Sequence, residues 1–364
     1  MTDLSEARKN IEAIDKEMAE LFTRRMQCSH SIAEYKQANG IPILDSGREK
    51  ALIEKNEAYI EDNELRPYYK QFMQGIMDIS KQYQHKLMEQ ARIAYSGIEG
   101  AFSHIAARKL FPDGEAVAFK SFRSAYNAVV NGQCDTVVLP IENSKAGEVG
   151  QVMDLMYEGD LYINGIYPLR VSQNLLGVEG RSIGKIKKVI SHLQALEQCA
   201  DYIDAHGMEA VEAVNTAVAA KQVAELNDIS VAAIASRDTA KLYGLKLLDH
   251  DINEDLNNTT RFAVLSRNRE DIINSNTGTT VILMFSVKNE AGMLAKAIGV
   301  IGNHGLSMNA LRSRPLKSLP WQYYFYAEIA GKHASDKINE AVKEMSAYCE
   351  FLKILGASRD NPEL

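Results

Sequence analysis

The chain has 364 residues, with 41 Lys plus Arg against 48 Asp plus Glu, a net charge of −7, and 46% apolar and 24% charged residues. That is the balance of a soluble globular protein, which excludes disordered and low-complexity classes, and at roughly 150 residues per domain the length predicts two or three domains. With no basic surplus to release counterions, binding to nucleic acid is not expected. Cys28, Cys134, Cys199 and Cys349 lack CxxC spacing, which fits thiols in a reducing cytoplasm rather than a disulfide framework or zinc site. The charged start has no apolar core, and no stretch of about 18 apolar residues follows, so neither a signal peptide nor a membrane partner is expected.

Nothing breaks a helix over residues 4–39. Ile11, Ile14, Met18, Leu21, Ile32 and Tyr35 fall mostly at three- and four-residue steps, the stripe of an amphipathic helix. Asn39-Gly40-Ile41-Pro42 stops it. At 1.5 Å per residue the helix is roughly 50 Å long, too long for a domain ending near residue 90 to cover. Either it pairs with a copy from another chain or it stands partly exposed; a dimer is expected. Helical patterns over 46–60 and 65–89 complete an all-α first domain, residues 1–90.

From residue 92 the pattern changes. Strand-like runs at 92–95, 136–139, 188–190, 231–234 and 261–265 alternate with helical runs at 121–130, 194–205, 216–226 and 236–243. This predicts βαβ units, largely parallel sheets, and a site at strand carboxyl ends between two lobes, in an α/β domain spanning 91–268. After a polar spacer, strands at 280–287, 307–313, 322–330 and 351–355 and helices at 292–303 and 335–348 run in the order βαββαβ. This is a ferredoxin-like α+β module over 279–356.

On the first helix Arg25 and Lys36 are eleven residues apart, three turns, so they share a face about 16 Å apart and can close on a small dianion. Arg8 lies about 25 Å back along the rod and reaches such a ligand only from a partner chain. Taken singly, charges on a helix are usually its solvated face. Together, Arg8, Arg25, Lys36, Asp45-x2-Arg48-Glu49 and Ser80-x3-Gln84 resemble the all-helical chorismate mutases, whose fold is an intertwined dimer. The resemblance implies that Arg8 and Arg25 take the substrate carboxylates and that Lys36 and Gln84 hydrogen-bond the ether oxygen. Glu49 holds the hydroxyl, with Asp45, Arg48 and Ser80 completing the wall. Chorismate to prephenate is a pericyclic step that needs no nucleophile, only a held conformer and charge stabilisation.

In the middle region Pro140-Ile141-Glu142-Asn143-Ser144 and Ser191-His192-Leu193-Gln194 follow apolar strands, and Asn215-Thr216-Ala217 opens a helix where its N–H groups can meet an anion. Each alone is commonly a helix cap. Together with Gly100-x-Phe102-Ser103 and Thr260-Arg261-Phe262, they resemble prephenate dehydratase. The resemblance implies two α/β lobes around a site in which Thr260 donates a proton, or an oriented hydrogen bond, to the leaving hydroxyl. Asn143, Ser191, Gln198 and Arg261 position the substrate. Residues 180–186 are one spacer short of a phosphate loop, and neither GxGxxG nor HExxH occurs, so no cofactor or catalytic metal is expected.

The C-terminal module resembles ACT domains. Gly292, Met293 and Leu294 match its strand-to-helix turn, and Arg312-Ser313-Arg314-Pro315 matches a segment that usually reads Glu-Ser-Arg-Pro in phenylalanine-sensing dehydratases. The resemblance implies that these seven residues form a phenylalanine effector site; a dimerisation module without ligand is the alternative. The three resemblances follow the order of bifunctional chorismate mutase–prephenate dehydratases, implying a homo-oligomer that takes chorismate and prephenate on the route to phenylalanine. A non-catalytic sensor of an aromatic ligand is the rival reading.

Overall fold

The computed structural model describes residues 4–39, 43, 46–87, 91–179, 182–269, 279–317, 319–331, 335–359 and 363–364. The chain divides into two compact units, residues 1–92 with 113–115, and residues 93–112 with 116–364.

The first unit is helical: α1 (Leu4–Asn39), α2 (Ser46–Glu57) and α3 (Arg66–Leu87). Helix α1 runs 36 residues, as the unbroken pattern predicts. Helix α3 packs on both others, burying Met73, Met77, Ser80 and Gln84 at steps of four, three and four, while among the described residues α1 buries only Ser29 and Ala33 and α2 buries Ile53. The amino-terminal stripe of α1 finds no cover among the described residues, since Ile11, Ile14, Met18 and Leu21 are all exposed.

The second unit begins with β1 (Arg92–Ser96), α4 (Phe102–Leu110), β2 (Glu115–Phe119), α5 (Phe122–Val130), β3 (Thr136–Asn143), β4 (Gly147–Glu148), α6 (Gly150–Glu158) and β5 (Tyr162–Arg170). A second lobe follows: β6 (Asn174–Gly177), β7 (Lys188–Ser191), α7 (Leu193–Glu197), α8 (Ala200–Ala205), β8 (Glu209–Glu212), α9 (Thr216–Leu226), β9 (Val231–Ala235), α10 (Arg237–Tyr243) and β10 (Lys246–Asp249). The chain then returns to the first lobe as β11 (Thr259–Ser266). Residues 171–173 and 250–258 are therefore the two crossings between lobes, and Val171 N–H donates to Asn258 O at 2.8 Å to tie them together.

The expectation of largely parallel sheets is corrected. Strand β1 is parallel to β3, and β7 to both β8 and β9, but β11 is antiparallel to β3 and β5, and β6 is antiparallel to β9 and β10. The returning strand enters between strands of the opposite sense, which alternation of helices and strands alone does not reveal. The motif at 140–144 also does not follow its strand. Strand β3 runs on through Asn143, because β11 pairs with it along its whole length with a register shift between Arg261 and Phe262.

The last elements are β12 (Thr279–Val287), α11 (Met293–Asn303), β13 (Ser307–Pro315), β14 (Tyr323–Gly331), α12 (Ser335–Met345) and β15 (Cys349–Arg359). The sheet order β13-β14-β12-β15 with this chain order is ferredoxin-like. One face of this sheet packs on α11 and α12 through Phe285, Phe325, Val300 and Met345. The other sets Met284, Tyr324, Tyr326 and Leu355 against Val152, Met153 and Met156 of α6, continuing the first lobe's core. Strand β15 extends the sheet by pairing with β5 at Gly356 opposite Ile163. There φ is +149° and a Cβ would collide with the Ile163 carbonyl, so only glycine permits the junction.

Candidate active sites

In the first unit, the buried stripe of α3 meets the basic residues of α1. The Arg25 guanidinium donates to Ile76 O at 3.2 Å and to Ser80 Oγ, whose own hydroxyl donates to Ile76 O at 2.8 Å. Burial lowers the Arg25 pKa from its ordinary value, and among the described residues no carboxylate pairs with it. A half-buried guanidinium so placed attracts an anionic ligand. Gln84 is buried with Oε1 unpaired among the described residues, the condition of a polar group that a ligand satisfies. Lys36 Nζ donates to Ile43 O at 2.6 Å. Glu49 of α2 accepts from Lys81 Nζ at 3.1 Å, and Lys81, nearly fully buried, also pairs with Asp78 at 2.9 Å.

Ser80 and Gln84 are thus brought to Arg25 by one helix packing on another. Arg8 and Arg48 are exposed, and Asp45 lies outside the described residues. Lys81 was not foreseen. Its signal was a charged residue beside a buried Ser80, which reads equally well as solvated surface.

In the second unit a cavity of about 370 Å³ lies between the lobes, at the crossings. Thr260, the second residue of β11, is 9% exposed and faces it. Asn143 holds it. The Asn143 Oδ1 accepts the backbone N–H groups of Lys145 at 3.0 Å and Ala146 at 2.9 Å, which fixes the amide orientation. The Nδ2 group then donates to Asn258 Oδ1 at 2.8 Å and to Thr260 Oγ1 at 2.9 Å. With its oxygen occupied as an acceptor, the Thr260 hydroxyl is left to aim its own proton into the cavity. Asn258 Nδ2 passes the chain of bonds across the cleft to Gln198 Oε1 at 3.1 Å, and Gln198 lines the cavity from the second lobe.

Phe102, Phe122 and Phe262 supply an apolar wall suited to a six-carbon ring. Helix α4 starts without a side-chain cap, and its first residues, Phe102 and Ser103, line the cavity, so its amino terminus can receive a carboxylate. Asn215 does cap α9, its side-chain oxygen accepting from Val218 N–H at 2.8 Å, while Thr216 faces the cavity.

Two expectations are corrected. Arg261 does not face this cavity: as Thr260's neighbour on a strand it points to the other face, where it pairs with Glu142 and Glu328. Ser191 is fully buried, donating to Ile234 O at 2.6 Å, because β7 continues through it; His192 and Gln194 line the cavity instead. Asn258 and Gln173, also on the lining, were not assigned from sequence. The Asn257-Asn258 run before Thr259 was the available signal.

In the C-terminal module Gly292 takes φ +79° as the N-cap of α11, the turn the motif predicts, with Met293 and Leu294 half-buried. Ser313 and Pro315 are exposed on β13. Arg312 and Arg314, on the alternate face, turn to carboxylates in the first lobe. Arg312 pairs with Glu142, and Arg314 with Glu148 at 2.8 Å and Asp154 at 3.2 Å. Burial raises the Asp154 carboxyl, but hydrogen bonds from Lys317, Tyr324 and Arg314 outweigh it and hold it below its ordinary value. Both guanidinium groups expected at an effector site thus also tie β13 to the first lobe.

The prephenate dehydratase family matches residues 93–270, and the type II chorismate mutase family matches residues 7–85. A bifunctional chorismate mutase/prephenate dehydratase from Buchnera aphidicola subsp. Acyrthosiphon pisum is 32% identical over 364 residues, covering 96% of this chain and 94% of the relative. The chain belongs to the bifunctional chorismate mutase/prephenate dehydratase family. Among solved structures, a prephenate dehydratase from Arthrobacter aurescens in complex with L-Phe shares the fold, with a TM-score of 0.67 at 23% identity over 75% of this chain and 92% of that one. A protein described as GqqA, a novel type of quorum quenching acylase, has a TM-score of 0.69 at 31% identity over 74% of this chain and 98% of its own. The two family matches fall on the two polar clusters: Arg25, Ser80 and Gln84 lie within the mutase match, and Asn143, Gln198 and Thr260 within the dehydratase match.

Proposed function

We propose that this family member rearranges chorismate to prephenate at the helical cluster, then decarboxylates and dehydrates prephenate to phenylpyruvate at the cavity between the lobes. The observation that carries the reading is one chain holding two chemically different sites: a half-buried guanidinium without a carboxylate partner among the described residues, and a hydroxyl that lines a cavity of about 370 Å³ while its oxygen accepts from Asn143.

At the first site, Arg25 and Arg8 of a second copy take the two carboxylates. Lys36 and Gln84 stabilise charge on the breaking ether bond, and Glu49, held by Lys81, receives the hydroxyl. The second copy follows from the exposed stripe Ile11, Ile14, Met18 and Leu21, each worth about 1.5–3 kcal/mol once buried. It also follows from the distance that separates Arg8 from Arg25.

At the second site, carbon dioxide and hydroxide leave together and aromatisation drives the step. Thr260 donates a proton or an oriented hydrogen bond to the departing hydroxide, and solvent supplies the one net proton that makes it water and leaves the threonine as a hydroxyl, while the amino terminus of α4 and the amide of Gln198 hold the carboxylates. Among the described residues lining the cavity there is no Lys or Arg, so neutral donors do this work.

We infer phenylalanine as the effector of the C-terminal module, from the Gly292 turn and the match of its motifs to phenylalanine-sensing dehydratases. The reading puts both reactions in the cytoplasm, in keeping with four cysteines that form no disulfide.

Incubating the purified chain with chorismate after exhaustive chelation tests the whole scheme. Chorismate absorbance falls and phenylpyruvate appears on adding base; turnover that stops with chelation and returns with metal would contradict a scheme built on these side chains alone.

A further inference from the structure

The face of the dehydratase sheet opposite Thr260 carries its own linked set of charges. On the antiparallel ladder of β3 and β11, Thr260 lies opposite Asn143 and Arg261 opposite Glu142. Successive residues alternate faces, so the first pair turns to the cavity and the second toward the C-terminal module. Arg261 donates to Glu142 at 3.0 Å and grips Glu328 of β14 with two bonds, 2.8 and 3.1 Å. Glu328, only 6% exposed, also accepts from the Tyr326 hydroxyl at 2.8 Å. Arg312 of β13 pairs with the other oxygen of Glu142, its guanidinium 5.8 Å above the Tyr326 ring. Two cations and two anions thus form a neutral, partly buried chain of ion pairs, Glu328–Arg261–Glu142–Arg312, closed into a ring by Tyr326, in which removing one member leaves an unpaired charge.

The ring sits beside an irregularity of the backbone. The β3–β11 register shifts between Arg261 and Phe262, one residue beyond the one that carries the reactive hydroxyl. A bulge re-aims side chains beside it, so on this side of β11 the ladder alone does not set Thr260's direction, while on the other side β11 pairs with β5 in regular register from Thr259 to Val264. Side-chain bonds on the opposite face add to the hold on that segment.

We propose that Glu328 and Arg312 are positioning residues for the dehydratase reaction: by clamping Arg261 and Glu142 they fix the irregular segment that aims Thr260 and Asn143 into the cavity. This rests on the dehydratase reading of that cavity. Neither residue touches substrate. The C-terminal module acts on the chemistry from behind the sheet, and the arginine at position 312 supplies a cation that a glutamate there would replace with repulsion against Glu142.

The test uses the full chain carrying Glu328→Gln or Arg312→Gln, assayed separately with prephenate and with chorismate. Because small misplacements of a reacting group are expensive, the dehydratase kcat falls by about tenfold or more. The KM for prephenate stays within about twofold, since the lost effect belongs to the transition state. Mutase turnover is unchanged, and Arg312→Lys recovers most of the dehydratase kcat. An unchanged kcat with a lowered melting temperature overturns the proposal, because the ring would then only hold the module in place. So does a raised KM at constant kcat. If Glu328→Gln does not fold, as judged by a circular dichroism spectrum that has lost the signal of the second unit, Arg312→Gln at the more exposed position decides by the same criteria. A wild-type chain that never consumes prephenate is a different result, removing the dehydratase reading together with this one.

Discussion

Thr260→Val abolishes phenylpyruvate formation while chorismate is still consumed, so prephenate accumulates. The substitution keeps the shape of the side chain and deletes the one hydroxyl that Asn143 turns toward the cavity. Loss of a positioned proton or hydrogen-bond donor in a transition state typically lowers the rate about 10²- to 10⁴-fold. The same change leaves the backbone of β11 free to pair as before, and Asn143 keeps its bonds to Asn258, Lys145 and Ala146. Binding of prephenate therefore survives better than turnover. Thr260→Ser, which keeps the hydroxyl but loses the methyl that limits its rotation, retains part of the rate. The measurement is kcat and KM with prephenate for both variants. A Thr260→Val enzyme within tenfold of wild type would show that the donor is elsewhere.

Arg25→Ala removes mutase turnover and leaves prephenate consumption intact. The guanidinium is half-buried with only neutral partners, Ser80 and the Ile76 carbonyl, among the described residues. Its free energy is therefore available to a carboxylate that arrives with the substrate. Truncating one partner of a buried charge pair costs about 2–5 kcal/mol, or roughly 30- to 5,000-fold in rate. Arg8→Ala has a comparable effect if a second chain supplies that side chain. Mixing the two inactive variants under conditions that exchange subunits then restores activity. A mixed dimer holds one site with both arginines and one with neither, so random exchange returns about a quarter of the wild-type rate. No recovery on mixing would place Arg8 outside the site.

Much of this was legible in the residues because helix and strand periods are strict. The span of α1, its uncovered apolar stripe and the spacing of Arg25 and Lys36 follow from 3.6 residues per turn and the absence of breakers. The C-terminal βαββαβ order was equally readable, since each of its elements has its own period and a glycine turn. The errors have physical causes. Arg261 enters as a substrate residue through the resemblance carried by Thr260-Arg261-Phe262, yet adjacency to Thr260 on a strand means opposite faces, and its partner Glu328 lies 67 residues away on another strand. Ser191 was taken as a ligand because it follows an apolar run, but the run and the strand do not end together. Arg312 and Arg314 were read as an effector segment, and only the packing of β13 shows Glu142, Glu148 and Asp154 facing them. Long-range pairing of this kind leaves no local pattern, which is why the outline of each cluster was visible and its closing partners were not.

The account depends on two sites that work independently on a freely passed intermediate. The most direct test mixes purified Arg25→Ala chains with Thr260→Val chains and supplies chorismate alone. Prephenate made by the Thr260→Val chains at their intact helical site diffuses to the intact cavities of the Arg25→Ala chains, and phenylpyruvate forms after a lag that shortens as more Arg25→Ala protein is added. Chorismate consumed with no phenylpyruvate, or not consumed at all, would contradict the division of the two reactions between these two residues.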